Sequence, residues 1–170
     1  MASTYTLISS QVLGSSAASV TFSSIPQTYK DLVLNFSVRS DRSGGSDYLG
    51  IAINSNSSSI YSYTDLNGVG SGSGASVFAS SQPSFSLPSI TAAGQTTNVF
   101  ASGQMYIPNY VSGSYKPINL QMTQENNGTV SRMDAYSLLF SSTATISSLV
   151  FNPVLSTNFL TGSSFYLYGI

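Results

Sequence analysis

Apolar and polar residues alternate along most of this chain, most clearly in DLVLNFSVRSD (residues 31–41). There Leu32, Leu34 and Phe36 fall on one face, while Asn35 and Ser37 fall on the other. A period of two residues is that of an extended strand with one buried face. The sequence therefore predicts a half-buried β-strand in this stretch.

The same alternation recurs in segments separated by Gly, Pro and Asn residues. It predicts further strands in residues 3–9, 19–25, 47–54, 58–66, 97–107, 116–124, 130–140, 144–154 and 164–170. No stretch shows the sustained spacing of an amphipathic helix, and good helix formers are scarce. About ten strands favour an all-β fold, an antiparallel two-sheet sandwich that is jelly-roll-like. A closed barrel is the alternative.

Three connections carry specific expectations. Asn127-Gly128 is a strong two-residue hairpin signal, so the strands on either side of it are predicted to pair. Residues 3–9 and 19–25 are expected to form a first hairpin or a pair of edge strands. The Gly- and Ser-rich residues 67–84 are interpreted as a long flexible loop of a single domain that covers residues 1–170. A linker between two domains is the alternative.

The closing strand has apolar residues on both faces. Phe165 and Leu167 lie on one side, and Tyr166, Tyr168 and Ile170 lie on the other. An apolar edge strand that is open to water invites aggregation. We therefore expect this strand to lie in the middle of its sheet or under a neighbouring subunit. Tyr166, Tyr168 and Ile170 are the candidate residues for a subunit contact or a second core layer.

Composition narrows the function classes. Charged residues make up 6% of the chain, against about 25% in ordinary globular proteins. Five scattered Lys and Arg residues and a net charge of −1 cannot neutralise a phosphate backbone, which argues against nucleic-acid binding. No run approaches the roughly 18 apolar residues of a membrane span, and the first residues do not resemble a secretion signal. We expect a soluble protein without a membrane partner.

The chain offers little catalytic chemistry. It has no Cys and no His, so it lacks thiolate nucleophiles, the commonest general base and the commonest transition-metal ligand. No sequence feature pairs its acids, which are expected to lie as solvated groups at turns and strand ends: Asp31, Asp41, Asp47, Asp65, Glu125 and Asp134. The sequence therefore predicts a protein that is not an enzyme and that holds no cofactor or metal.

Two chemical alternatives stay open. Asp41 and Asp47 in DRSGGSD could bind Ca²⁺ together with main-chain carbonyls, since Ca²⁺ prefers oxygen ligands. A plain charged loop is the simpler interpretation. A Ser–Lys pair could activate a serine without His, with Lys30 or Lys116 as the base. Both lysines lie beside turn or proline signals and are expected to be exposed.

The two ends of the chain carry recognisable motifs. The closing segment has a strand of the form I-x-S-L, a Gly-Ser pair and a final L-Y-G-I: Ile146, Ser148, Leu149, Gly162, Ser163, Leu167, Tyr168, Gly169 and Ile170. The opening segment has an I-P turn before a DLVL strand: Ile25, Pro26, Tyr29 and residues 31–34. Both segments resemble β-sandwich modules of tailed-phage virion proteins. Together, residues 3–41 and 144–170 cover a little over a third of the chain.

What the resemblance implies is a structural protein of a phage virion with a jelly-roll-like fold. The preferred interpretation is a capsid decoration (cement) protein that binds the major capsid protein on the outer surface of the head and stabilises the shell. Such proteins form small homo-oligomers, with a trimer favoured. In that setting Tyr166, Tyr168 and Ile170 are expected to contact another subunit or the capsid.

A tail-fibre or receptor-binding adhesin module, with carbohydrate as one candidate ligand, is the alternative. Such a module is usually the distal part of a longer chain with a shaft, and no shaft is visible in this sequence. A carbohydrate-binding module outside a virion also fits the fold. A depolymerase fits least, since it needs a pair of carboxylates in a cleft.

Overall fold

The computed structural model describes residues 4–70, 72–125 and 130–170, and within them the chain is all-β. The strands are β1 (Thr6–Val12), β2 (Val20–Phe22), β3 (Leu32–Ser40), β4 (Ser46–Ile53), β5 (Tyr61–Val69), β6 (Ala75–Gln82), β7 (Phe85–Ala92), β8 (Ala101–Ile107), β9 (Lys116–Glu125), β10 (Ser131–Phe140), β11 (Leu149–Pro153) and β12 (Ser164–Gly169). The predicted all-β class is confirmed. None of the described residues belongs to a helix long and apolar enough to cross a membrane.

The strands form two runs that join at β3. The long run has the order β1-β12-β3-β8-β9-β10-β5-β6, and every pairing in it is antiparallel. The short run has the order β2-β11-β4-β7 and is also antiparallel. The end of β3 joins them, where Arg39 and Ser40 pair in parallel with Thr91 and Ala92 of β7.

One hydrophobic core receives side chains from both runs. Phe151 of the short run lies 5.4 Å, between ring centroids, from Phe165 of the long run. Phe159, in the connection before β12, lies 5.3 Å from the same ring. All three rings are fully buried. Burial of aromatic rings of this size contributes roughly 2–3 kcal/mol each, so this cluster is a main contact between the runs.

The alternation read from the sequence matches the observed burial. Leu32, Leu34, Phe36 and Val38 of β3 are all buried, as predicted for one face. Val33, on the opposite face, is also only 2% exposed. β3 is therefore covered on both faces at this point, whereas the sequence predicted a strand with one buried face.

The closing strand lies inside its sheet. β12 pairs with β1 on one side and with β3 on the other, and Phe165 and Leu167 are fully buried. Of the two expectations for this strand, the central position is therefore confirmed. The first and last strands of the chain are direct neighbours.

The expected opening hairpin is wrong. β1 pairs with β12, whereas β2 pairs with β11 in the short run. The connection between them follows the closing segment, since Leu13 N–H donates to Ser163 O at 2.9 Å and Ala17 N–H donates to Phe159 O at 3.0 Å. Because its main chain is hydrogen-bonded to the closing segment, the connection does not form the tight turn of a hairpin.

The loop expected at residues 67–84 is wrong over most of its length. β5 continues to Val69, and Ala75–Gln82 forms β6, which is antiparallel to β5. The hairpin predicted at Asn127-Gly128 has its turn outside the described residues. Its flanking strands β9 and β10 are paired, with Glu125 opposite Ser131.

Candidate interaction surface

The long run has one face against the core and an outer face toward solvent. A row of polar side chains crosses the middle of this outer face, where Asn35 of β3 stands opposite Gln104 of β8, and Gln104 stands opposite Gln121 of β9. These three residues are called the amide row below. Gln104 Nε2 donates a hydrogen bond to Asn35 Oδ1 at 2.9 Å. The row continues to Tyr166 of β12, which stands opposite Asn35.

An open groove of ≈ 700 Å³ runs along the amide row and crosses β3, β8, β9 and β10. Its lining combines amides and hydroxyls with the apolar side chains of Phe36, Met122 and Met133. The polar side chains are those of Asn35, Ser102, Gln104, Gln121, Thr123 and Ser131. None of the described residues that line it is charged. We call it the amide groove. Its amides and hydroxyls suit a ligand that both donates and accepts hydrogen bonds.

A cluster of tyrosines lies on the same face at the β1–β12 side. Tyr168 stands opposite Leu7 of β1 and Val33 of β3, and the Tyr5 ring meets the Tyr168 ring edge-on with centroids 6.0 Å apart. Tyr106 O–H donates to Asp31 Oδ2 at 2.7 Å. That hydrogen bond to a carboxylate raises the pKa of Tyr106.

The structure brings the three predicted contact residues onto this surface. Tyr166, Tyr168 and Ile170 are partly buried and lie on the outer side of the strand that buries Phe165 and Leu167. Their shared face follows from the alternation in the sequence. Their contact with a subunit or a capsid stays a prediction.

The opposite end of the outer face, called the apolar end, exposes large hydrophobic side chains. β6 pairs with β5 and is the last strand of the long run. Exposure is 77% for Phe78, 61% for Leu66 and 55% for Met133. A further open groove of ≈ 540 Å³, lined by Leu66, Met133 and Ala135 among others, lies here. Sequence reasoning missed this end because it read β6 as loop.

Buried carboxylates occupy the inner face of β5 and β10. Arg132 Nη2 donates to Asp134 Oδ1 at 2.6 Å and lies 3.9 Å from Asp65 Oδ2. Asp65 and Asp134 are fully buried. Burial raises the pKa of Asp65; the nearby Asp134 carboxylate adds to the rise, while the hydrogen bond from Asn67 opposes it.

The expectation that the acids are solvated is therefore wrong for four of the six. Asp31, Asp47, Asp65 and Asp134 are all buried. Arg132 already neutralises Asp134 in a bidentate contact. This arrangement organises the ends of β5 and β10, because a buried carboxylate needs a cation or several donors.

Asp41 and Asp47 hold the segment that follows β11. Asp47 Oδ1 accepts from Leu155 N–H at 2.8 Å, and its Oδ2 accepts from the Ser156 hydroxyl. Asp41 Oδ2 accepts from Asn158 Nδ2 at 2.9 Å. Among the described residues, no three or more His, Cys, Asp or Glu side chains gather as a metal site would need. The two aspartates tie loops together through hydrogen bonds.

One of the two lysines differs from the expectation that both are exposed. Lys30 is exposed, but Lys116 is fully buried. Lys116 Nζ donates to main-chain carbonyls, among them Ser112 O at 2.8 Å and Ala144 O at 3.1 Å. Burial lowers the pKa of Lys116. The burial of Lys116 could have been predicted from the sequence, because Lys116 lies two residues before the buried Ile118 and therefore on the same face of the strand.

The part of the outer face that lines the amide groove is thus uncharged, and Glu125 lies on the same side at the end of β9. Other charged groups in the described part of the chain are largely committed to internal contacts. An uncharged face can bind through shape, apolar contact and neutral hydrogen bonds. A scan against protein-family models gives no match. Searches among curated proteins and solved structures give no significant match either.

Proposed function

We propose that this chain is a non-enzymatic structural protein of a tailed-phage particle, a decoration protein that binds the major capsid protein on the outside of the head. The observation that carries the proposal is the apolar end, where Phe78, Leu66 and Met133 are about half to three-quarters exposed. Contiguous exposed apolar side chains mark surfaces that associate with another protein. The resemblance of both chain ends to virion modules favours another virion protein as that partner.

The backbone of β6 adds to this argument. As the end strand of the long run it pairs on one side, so its other edge offers main-chain donors and acceptors. Open edges associate readily with other strands unless they are charged, short or covered. β6 carries no charged residue. A neighbouring protein that covers this edge stabilises both the strand and the contact.

We further propose that the two runs pack as the layers of a jelly-roll-like sandwich. In support, side chains from both runs meet in one core, and the Phe151–Phe165 contact joins β11 to β12. The sandwich forms a small homo-oligomer, a trimer in the preferred arrangement. Tyr166, Tyr168 and Ile170 supply a second contact, with a neighbouring subunit or the capsid.

The experiment that tests the function is localisation on purified particles by cryo-electron microscopy. Density for this fold in many copies on the outer shell is the expected result. A few copies at the tail would replace the proposal with a tail-fibre or adhesin role. Absence of the chain from particles would refute a virion function of either kind.

A charge substitution tests the contact itself. Phe78→Asp places a carboxylate in the apolar end and is expected to lower occupancy on particles at least about tenfold, because centrally placed aromatic anchors dominate interface energies. Ser57→Asp, at an exposed position between β4 and β5, is the control for added charge. Equal occupancy of both variants would remove the apolar end from the interface.

A further inference from the structure

We propose that the amide groove binds a neutral oligosaccharide. This goes beyond the structural role, because it depends on the amide row, which shares no residue with the apolar end. Met133 alone belongs to both the apolar end and the lining of the amide groove. The proposal holds whether the protein decorates a head or a tail. The inference rests on the spacing, the hydrogen-bonding capacity and the neutrality of the side chains along the groove.

The spacing follows from the sheet. Tyr166, Asn35, Gln104 and Gln121 stand in one cross-strand row, each on a neighbouring strand. Neighbouring strands lie about 4.8 Å apart, so the row spans about 14 Å. The spacing between neighbouring strands, about 5 Å, is close to the length of one pyranose unit. A short linear glycan lying along the row therefore meets a new side chain with each sugar.

The amides supply donors and acceptors together. The Gln104–Asn35 hydrogen bond uses Gln104 Nε2 and Asn35 Oδ1, so Asn35 Nδ2 and Gln104 Oε1 are the atoms that a ligand would use. Gln121 is exposed and makes no side-chain hydrogen bond to any described residue. A primary amide carries two N–H donors and one carbonyl acceptor. Neighbouring sugar hydroxyls, which both donate and accept, match this set.

Apolar groups lie at the two ends of the row. Met133, 55% exposed, lines the groove at the β10 end, and Tyr166 stands at the β12 end. Binding sites typically combine apolar contact area with a few convergent polar groups. Methyl and ring surfaces of this kind pack against the C–H faces of a sugar ring.

The charge and position of the groove argue against other ligands. Its described lining holds no charged side chain, so an anionic glycan or nucleic acid would find no counter-charge. It also crosses the middle strands of the sheet, whose backbone groups are already paired on both sides. An extended peptide needs an open strand edge for main-chain bonding. A neutral polyhydroxylated chain needs neither.

The test is isothermal titration of the full chain with cellohexaose, maltohexaose and chitohexaose, and with a hexamer of galacturonate as the anionic comparison. We expect at least one neutral hexasaccharide to bind with Kd in the range of about 1 mM or tighter, and the anionic hexamer to bind at least about tenfold more weakly. Gln121→Ala and Gln104→Ala should each weaken neutral binding at least about tenfold, which is about 1.4 kcal/mol.

Asn119→Ala is the matched control. Asn119 is an exposed amide on β9, two residues from Gln121 and outside the groove lining, so its variant should bind like the parent. If none of the neutral hexasaccharides binds, the proposal is wrong. Equal losses in the Asn119 and Gln121 variants would also overturn it. So would a change of oligomeric state in Gln121→Ala, because the groove would then be a contact between copies. None of these results bears on particle localisation.

Discussion

At the scale of single residues, the charged groups show most clearly how burial decides chemistry. Asp65, Asp134 and Lys116 are fully buried in strands that the alternation of residues identifies. Their side chains bind partners inside the fold. The sequence could place them in the correct strands but did not identify their partners. Asn67 and Arg132 lie two residues away on the same strands, whereas Lys116 binds carbonyls of connecting segments.

Replacing Lys116 by Met is expected to destabilise the fold by about 2–4 kcal/mol, because it removes a buried donor that four main-chain carbonyls share. Those carbonyls belong to Ser112, Ser114, Ser142 and Ala144. Chemical denaturation measures the change. Lys30→Met, at an exposed position, should stay within about 0.5 kcal/mol of the parent. Equal effects of the two substitutions would show that the carbonyl contacts do not stabilise the protein.

Asp65 and Asp41 should contribute to the free energy of unfolding with opposite dependences on pH. Burial raises the folded-state pKa of Asp65 above its ordinary 3.8. Its contribution is therefore fully present below that value and is lost as pH rises through the raised pKa. Burial acts to raise the pKa of Asp41 as well, but hydrogen bonds from Asn158, Thr157 and Ser156 outweigh it and lower the pKa. That contribution is lost as pH falls through the lowered pKa.

Denaturation curves between acidic and neutral pH test this pair. Asp65→Asn should remove a fall in stability with rising pH, whereas Asp41→Asn should remove a loss of stability in acid. The groups that face Asp65 are Asp134, Arg132 and Asn67, and all three are unchanged in both variants. Parallel pH profiles for the two variants would contradict the assignment.

At the scale of elements, alternation located most of the strands but missed β6 and β7. β6 is exposed along most of its length, so its residues carry no buried face to recognise. β7 contains Pro88, which lies next to a register shift between Asp47 and Tyr48 of β4. Proline is tolerated at such irregularities, but in a sequence it reads as a break.

The candidate surface was predictable only in part, for a related reason. The shared outward side of Tyr166, Tyr168 and Ile170 follows from alternation within one strand. The amide row does not, because Asn35, Gln104 and Gln121 become neighbours through strand order and register. Those depend on long-range pairing, which a local pattern does not specify.

A close approach between β3 and β8 gives a prediction at this scale. A Cβ at Gly103 would clash with the Phe36 ring and lie 2.9 Å from Gln121 O. Gly103→Ala is therefore expected to destabilise the fold by about 1–3 kcal/mol. Gly68→Ala is the control, since nothing lies within 4 Å of its Cβ position. Phe36→Leu in the Gly103→Ala background should recover part of the loss, and thermal denaturation of all four proteins would show whether it does.

At the scale of the whole molecule, the fold depends on pairing between distant parts of the chain. β12 joins β1 to β3, and the core cluster draws on most strands of both runs. The outer face then carries the tyrosine cluster at one side and the apolar end at the other. The proposed decoration role assigns one region to a neighbouring subunit and the other to the capsid.

Tyr168→Asp tests the tyrosine cluster as a contact region. The added charge is expected to abolish assembly or folding, as judged by sedimentation and circular dichroism, because it lies against Tyr5, Leu7 and Val33. Tyr115→Asp is the control at a position that is 57% exposed. A folded Tyr168→Asp protein with an unchanged oligomeric state would exclude these residues from the interface.

The central place of β12 also has a consequence for biosynthesis. β3 leaves the ribosome early, yet one of its two long antiparallel partners is β12, which is translated only after β11. Until then Leu34 and Phe36 have an open strand edge beside them, and pairing across so long a separation is slow. We therefore expect the nascent chain to expose this strand edge, and with it a risk of aggregation, until β12 has been translated. A chaperone that shields apolar strands during synthesis should therefore increase the yield of folded protein made by translation. The same chaperone should have a smaller effect on the yield of refolding from denaturant, where the whole chain is present from the start.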